Sequence, residues 1–440
     1  MIVFSNGDLN QLKPESMNSP KLFDTAVMAE IREQFHHVDF CPVINEPRVF
    51  FENGGGSLKL KAAIAASAEV EALPDQEGRQ NPASKYLTSV LDAGREDLHF
   101  VFGSANLPQR GQVISGETGT RLLYRIIRSI ALAAPAGPIL SCDLEHPASL
   151  HAAKQWAENT GREWLDVPFD TDTGTAGPEH YASKVTPDTR IATVIHTSML
   201  TGFVVDLEGI VRAIRDVSPD CYIIVDGIQH APHGAMHVDQ YGVDAYVYSP
   251  YKAYSRLSLG FGWVNDRVSA VPHEHMIGHN PEGWELGSRD PAFYAAQSKV
   301  TDYFCWLGAH FTDSQARQDQ FDAGTSAMEA HEAALLQLLI FGDDQSPGLM
   351  SFDKVTLVGP AQLEGREGIV SFNLAGVTSP DLVQDFAKRG IRVHARISDA
   401  YSGHILEALG IEDCLRVSMC HYNSPDEVRL FLKHLAEIAG

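Results

Sequence analysis

The sequence predicts an α/β fold: a large unit on a mostly parallel sheet between helices, then a small α+β unit. Three observations lead there. From about Gln112 to Val264, short β-rich runs alternate with helical patterns, as when strands are joined by crossover helices. The runs are apolar at nearly every position, which suits strands covered on both faces. After about residue 310 the alternation stops, and a helix-rich stretch through the 330s precedes strands that lie close together in sequence.

In chain order, residues 1–25 are polar and contain Pro and Ser, which predicts an arm with little core material. Residues 26–310 are expected to form the large domain and 311–440 the small one. The strand runs of the large domain are QVIS (112–115), PILSC (138–142), IATVIH (191–196), YIIVD (222–226), AYVYS (245–249) and GFGWV (260–264). Between them, Leu207, Ile210, Val211, Ile214 and Val217 recur with helical period, as do Leu122, Leu123, Ile126, Ile127 and Ile130. The small domain reads as a helix ending near Phe341, KVTLVG (354–359), GIVSFNL (368–374), a helix from Ser379, IRVHA (391–395), LRVSM (415–419) and a closing helix from Ser424. No internal repeat or low-complexity tract interrupts this order.

Composition narrows the function. The 440 residues are 44% hydrophobic and 21% charged, ordinary globular usage with room for two or three packed units. With 34 Lys+Arg against 57 Asp+Glu, the formal net charge is −23. That balance argues against nucleic acid or an anionic membrane as partner and favours a small molecule. The six cysteines include no C-x-x-C pair, so reduced, mostly buried thiols and a cytoplasmic location are expected. No apolar run approaches membrane-span length, and the first residues lack the pattern of a secretory signal.

The strand YIIVD ends in Asp226, and the next ends in Ser249-Pro250-Tyr251-Lys252. An acid and a lysine at the carboxyl ends of adjacent strands share one crevice. Pyridoxal 5'-phosphate (PLP) chemistry needs this pairing. The lysine amine forms a Schiff base with the cofactor aldehyde. The carboxylate keeps the pyridine nitrogen protonated, so that the ring accepts electrons from a Cα carbanion.

The stretch 225–264 resembles the class V aminotransferase/cysteine desulfurase-like family of fold-type I PLP-dependent enzymes. The motifs are Asp226-Gly227-Ile228-Gln229, then Ser249-Pro250-Tyr251-Lys252, then Gly260-Phe261-Gly262. The resemblance runs over roughly residues 40–440, with motifs in family order. It implies a seven-stranded large-domain sheet and a small C-terminal domain. It implies Lys252 as the Schiff-base lysine and Asp226 on the pyridine nitrogen. Gln229 would meet the ring hydroxyl, and His146, after PILSC, would lie over the ring and move protons. Glu117 and Thr118, in the turn Ser115–Thr120, would give amides to the phosphate, as a helix N-terminus can. Ser249 and Tyr251 flank the lysine in the same site. Glu285-Leu286-Gly287-Ser288 resembles a segment that reaches the phosphate of the neighbouring subunit, which implies a homodimer. Arg416, in Leu415–Asn423, would clamp the substrate α-carboxylate, for which a forked guanidinium is suited. Asn53 and Gly54, in Asn53-Gly54-Gly55-Gly56, would line the substrate pocket with Met199.

The sequence departs from the family pattern in three places. The stretch Arg396–His404 has no cysteine where the desulfurases carry their nucleophile. The turn His196-Thr197-Ser198-Met199 lacks the usual asparagine. Tyr251 stands where histidine is commoner before the lysine. These features resemble the branch without the loop cysteine, which includes C–S lyases and C–C bond-forming enzymes. The expected reaction is β-elimination from a cysteine-like amino acid. Transamination, epimerisation and C–C chemistry stay open, as does a non-catalytic binding protein on the same fold. No metal is expected: His230, His233 and His237 have helical spacing, but Pro232 and Gly234 interrupt the helix. Gly54–Gly56 has no Walker lysine, which removes a nucleotide loop.

Overall fold

The computed structural model describes residues 20–440, so residues 1–19 of the expected N-terminal arm lie outside the described residues. Helix begins at Thr25, where the Asp24 side chain accepts from the Val27 amide at 2.9 Å.

The main sheet has seven strands, ordered 112–116, 260–264, 245–248, 222–226, 191–195, 139–142 and 164–167. Neighbours run parallel, except that Gly260–Val264 is antiparallel to both its partners. Strand 112–116 therefore points the same way as the parallel set, and all their carboxyl ends meet at one edge. Each of the six runs expected from the sequence forms a strand. Trp164–Val167 was not expected. It is an edge strand, half-buried at three of its four positions, so it lacks the solid apolar signature of its neighbours. The helix Gly119–Ala133 buries Leu122, Leu123, Ile126, Ile127 and Ile130 against the sheet. Thr118 caps it, its Oγ1 accepting from the Arg121 amide at 3.0 Å.

The small unit is an antiparallel sheet ordered 355–357, 369–374, 413–418 and 394–397. The helices Ser379–Lys388 and Pro425–Ala439 cover it. Its core contains Phe372, Phe386, Leu415 and Phe431, and also Val49 and Phe51 from far upstream. The predicted run IRVHA is two strands. Ile391–Arg392 pairs in parallel with Val49–Phe50, and His394–Ile397 then joins the antiparallel sheet. Val393, buried between them, marks the change of partner. A segment of the N-terminal half is thus stitched into the C-terminal unit, and it leads straight into Asn53-Gly54.

Phe431 stacks on Phe386 with centroids 4.5 Å apart at 14°, and meets Phe51 edge-on at 6.1 Å. Phe431→Ala should therefore cost about 3–5 kcal/mol, read as a lower urea midpoint in circular dichroism. An unchanged midpoint would show that this ring cluster does not hold the small unit together.

Candidate active site

The carboxyl edge of the sheet gathers the expected residues. Lys252 follows strand Ala245–Tyr248 and is 8% exposed; its Nζ donates to Gln229 Oε1 at 2.8 Å. Burial, aided by the Arg416 charge and opposed by Asp226, pulls the Lys252 amine down to about 7. Asp226, 3% exposed, takes the Ile228 amide on Oδ1 at 3.1 Å, while its Oδ2 is buried with no partner. Burial pushes its carboxyl up to about 6, against the pull of that amide and of Lys252. The Gln229 amide nitrogen is also buried and unpartnered. Buried polar atoms left unpaired are costly unless a ligand takes them. This trio fits the pyridine nitrogen, the aldehyde and the ring hydroxyl of PLP.

The phosphate end fits as well. A Cβ on Gly119 would lie 2.6 Å from Ser249 Oγ. The bare glycine thus lets the helix start come close to Ser249. Glu117 and Thr118 are exposed at this turn, with their amides at a helix N-terminus. His146 is the N-cap of helix Pro147–Asn159, its Nδ1 accepting from the Ala148 amide at 3.0 Å. Burial, with Lys252 next in effect, drops His146 to about 3, so the ring is neutral. The cap uses the ring's edge, which is compatible with packing on its face. The turn before it is held by Glu145, whose Oε1 accepts from the Cys142 amide and Thr193 at 2.9 Å each.

The substrate end is built across the two units. Arg416 is 2% exposed, on strand Asp413–Ser418, and Nη1 donates to the Met199 carbonyl at 2.9 Å. Its Nε is buried without a partner. Burial, with Arg396 next in effect, lowers its guanidinium to about 9. A Cβ on Gly54 would sit 2.9 Å from Arg416 Cζ, so Gly54 leaves the guanidinium its space. The Gly54 amide donates to Ser418 Oγ at 2.8 Å. Asn53 lies beside it, but its side chain is spent on structure. Nδ2 donates to Ser418 O at 2.9 Å and Asn423 Oδ1 at 3.2 Å, and Oδ1 accepts from the Tyr422 hydroxyl. Tyr251 is half-buried, and its carbonyl accepts from Lys59 Nζ at 2.7 Å and the Ser57 amide at 3.2 Å.

Gly287 and Ser288 are not brought to this centre. Both are exposed, in a segment that Glu285 anchors through the Ser115 amide at 2.8 Å. Two further residues stand out, one of them in the stretch Arg396–His404. Thr197 Oγ1 is buried and unpartnered beyond strand Ile191–Ile195, two residues before Met199, which stands where the family pattern has asparagine. Arg396 is half-buried and lies near Arg416 and Lys252. Thr197 follows strand Ile191–Ile195 closely, while Arg396 lies within strand His394–Ile397, where only its register with Asp413–Ser418 brings it to the site. The tempting histidines are in ion pairs: His230 with Glu367 at 2.5 Å and His233 with Glu332 at 2.7 Å. Cys420 lies beside the second pair.

The Asp226 shift has a stability consequence in the cofactor-free protein. A carboxyl whose folded pKa is raised from 3.8 to about 6 contributes stability that is present below pH 4 and lost as pH rises through 6. At pH 8 cofactor-free Asp226→Asn should thus be more stable than wild type, by roughly 1–3 kcal/mol. The gain should vanish near pH 4. Thermal denaturation at both pH values checks this, and a destabilised variant at pH 8 would contradict it.

Comparison with known proteins identifies the family and the fold. The family model for aminotransferase class-V matches residues 49–279 and 319–431. An "aminotransferase-like protein FGM3" of Gibberella zeae is 25% identical over 414 residues, covering 90% of this chain and 95% of its own. A probable cysteine desulfurase of Halobacterium salinarum is 28% identical over 312 residues, 67% of this chain and 68% of its own. In fold, a cysteine desulfurase of Thermococcus onnurineus superposes with a TM-score of 0.78 at 18% identity, over 96% of this chain and 99% of its own. Among the described residues no helix is long and apolar enough to cross a membrane. The chain belongs to the class-V aminotransferase family of PLP-dependent enzymes.

Proposed function

We propose that the chain is a C–S lyase that binds PLP and eliminates the sulfur substituent from Cβ of a cysteine-like amino acid, working as a homodimer in the cytoplasm. The observation that supports the cofactor most strongly is the unpartnered Asp226 Oδ2 beside Lys252 and Gln229. When bound, PLP supplies an electrophilic aldehyde and a ring that accepts electrons. The chain's own groups do the rest. Lys252, with its amine near 7, is largely uncharged at mildly alkaline pH, so it can attach the cofactor and later take the Cα proton. Asp226 holds a proton on the ring nitrogen, and Gln229 holds the ring hydroxyl. His146, neutral and fixed by its cap, covers the ring. The Glu117 and Thr118 amides and Ser249 take the phosphate. Arg416 orients the α-carboxylate, with Gly54 and Met199 around it. Gly287 and Ser288, exposed on their own subunit, would serve the partner's site in this homodimer.

Elimination is favoured over transfer of sulfur to the protein. Arg396–His404 has no cysteine. Burial pushes the thiol of Cys414 up to about 12 and that of Cys420 well up from the ordinary thiol range, so neither is a thiolate at neutral pH. The cysteines are free and buried, as in a reducing compartment. A second reading, transamination to a keto acid, draws on the family's own name and on the Gibberella relative.

The holoenzyme incubated with cysteine, cystine and other β-substituted amino acids should release pyruvate and the leaving group. Accumulation of pyridoxamine phosphate without pyruvate would favour transamination instead. Lys252→Ala should abolish the near-visible absorbance band and lower kcat by about 10³-fold or more. Arg416→Lys should reduce kcat/KM by about 10²-fold, mainly through KM, because one ammonium cannot make a two-point contact. An Arg416→Lys enzyme with unchanged KM would remove Arg416 from carboxylate binding.

A further inference from the structure

We propose that this site selects amino acids whose side chain ends in a carboxylate or a similar two-oxygen anion, and that Arg396 binds that group. The proposal rests on the reading above for one point, the substrate's α-carboxylate at Arg416.

The geometry begins with strand register. His394–Ile397 pairs with Asp413–Ser418 so that His394 faces Arg416 and Arg396 faces Cys414. Side chains two apart on a strand share a face, so Arg396 and Arg416 are diagonal neighbours on one face. Diagonal pairs are about 7–8 Å apart at their bases, a span that one amino acid with two terminal anions can bridge. Both arginines also close on one residue. Arg416 Nη1 reaches the Met199 carbonyl, and Arg396 Nη2 lies 3.6 Å from Met199 Sδ. A thioether is a weak acceptor and leaves a guanidinium mostly unsatisfied.

Among the described residues, neither arginine has a carboxylate within ion-pair distance, and the Nε of each is buried without a partner. The nearby acids, Glu52 and Asp399, attract the two guanidinium groups without forming an ion pair with either. Glu52 lies 3.4 Å from His394. Asp399 uses Oδ1 for the Tyr401 and Ser402 amides at 2.8 and 2.9 Å. Two like charges held close in a partly dry site repel, and the acids nearby offset them only in part. One α-carboxylate answers one of them; a second anion on the same ligand answers the other. The strand run then delivers Arg396 directly into the stretch Arg396–His404, where His404 Nε2 meets the Glu145 carbonyl at 3.0 Å. That contact fixes the loop over the turn that carries His146.

The test uses an isosteric pair, S-carboxymethyl-L-cysteine and its neutral amide S-carbamoylmethyl-L-cysteine, titrated into the holoenzyme by calorimetry. L-aspartate and L-asparagine form a second pair that bears no sulfur. Wild type should bind each acid about 10- to 100-fold more tightly than its amide. Arg396→Gln should remove this preference by weakening the acids alone, leaving the amides within about 3-fold. Arg396→Lys should restore part of it. Equal binding of acid and amide by wild type, or equal loss for both in Arg396→Gln, would overturn the proposal. A preference for aspartate without one for the S-carboxymethyl compound keeps the anion site and sets its distance from Cα. Aspartate and asparagine carry no sulfur to eliminate, so their heats report binding even where the S-substituted pair turns over. An acid preference with neither pyruvate nor pyridoxamine phosphate formed would therefore refute the reaction proposed above while keeping this one, and product formation without an acid preference would do the opposite.

Discussion

Three basic side chains, Lys252, Arg396 and Arg416, are held partly or wholly out of water around one crevice, and the architecture follows from keeping them there. Lys252 and Arg416 are 8% and 2% exposed, and burial is the leading cause of the depressed pKa of each. A charge so placed is costly unless partners are fixed in advance. The parallel sheet provides part of that fixing. Its carboxyl ends converge at one edge, so Asp226, Ser249, Lys252, His146 and the helix start after Gly116 arrive together on rigid strands.

The other part comes from the segment around residues 49–60, which belongs to both units. Val49–Phe50 pairs with Ile391–Arg392. Gly54 and Asn53 are bonded to Ser418. The Ser57 amide reaches the Tyr251 carbonyl at 3.2 Å. This strap joins the lysine turn to the arginine strand through backbone and amide bonds. It also explains why Asn53 serves best as a brace: each polar atom of its side chain is used to hold the strap, and the lack of a side chain at Gly54 makes the space for Arg416.

Neutral and charged groups divide the work within the crevice. His146 is kept uncharged by burial beside a cation, and its Nδ1 is occupied by the helix it caps. The cap uses an edge of the ring and leaves its face free. The formal charge of −23 is likewise compatible with the anionic ligands proposed above. The binding charges are few, local and buried, so the surface can be acidic without opposing them at short range.

The sequence by itself determined the strands and the residues at their ends. Apolar runs with turn residues after them are local signals, and a side chain directly after a strand in an α/β sheet has little choice of where to go. Asp226, Lys252, His146 and Thr118 were legible for that reason. The edge strand Trp164–Val167 was not, because its half-exposed residues look like loop. Only the tertiary structure decided that Val49 and Phe51 belong to the C-terminal core, that IRVHA breaks between two sheets, and that Arg396 lies beside Arg416. Those facts depend on register between segments tens to hundreds of residues apart. Register is set by mutual packing, which no local pattern encodes.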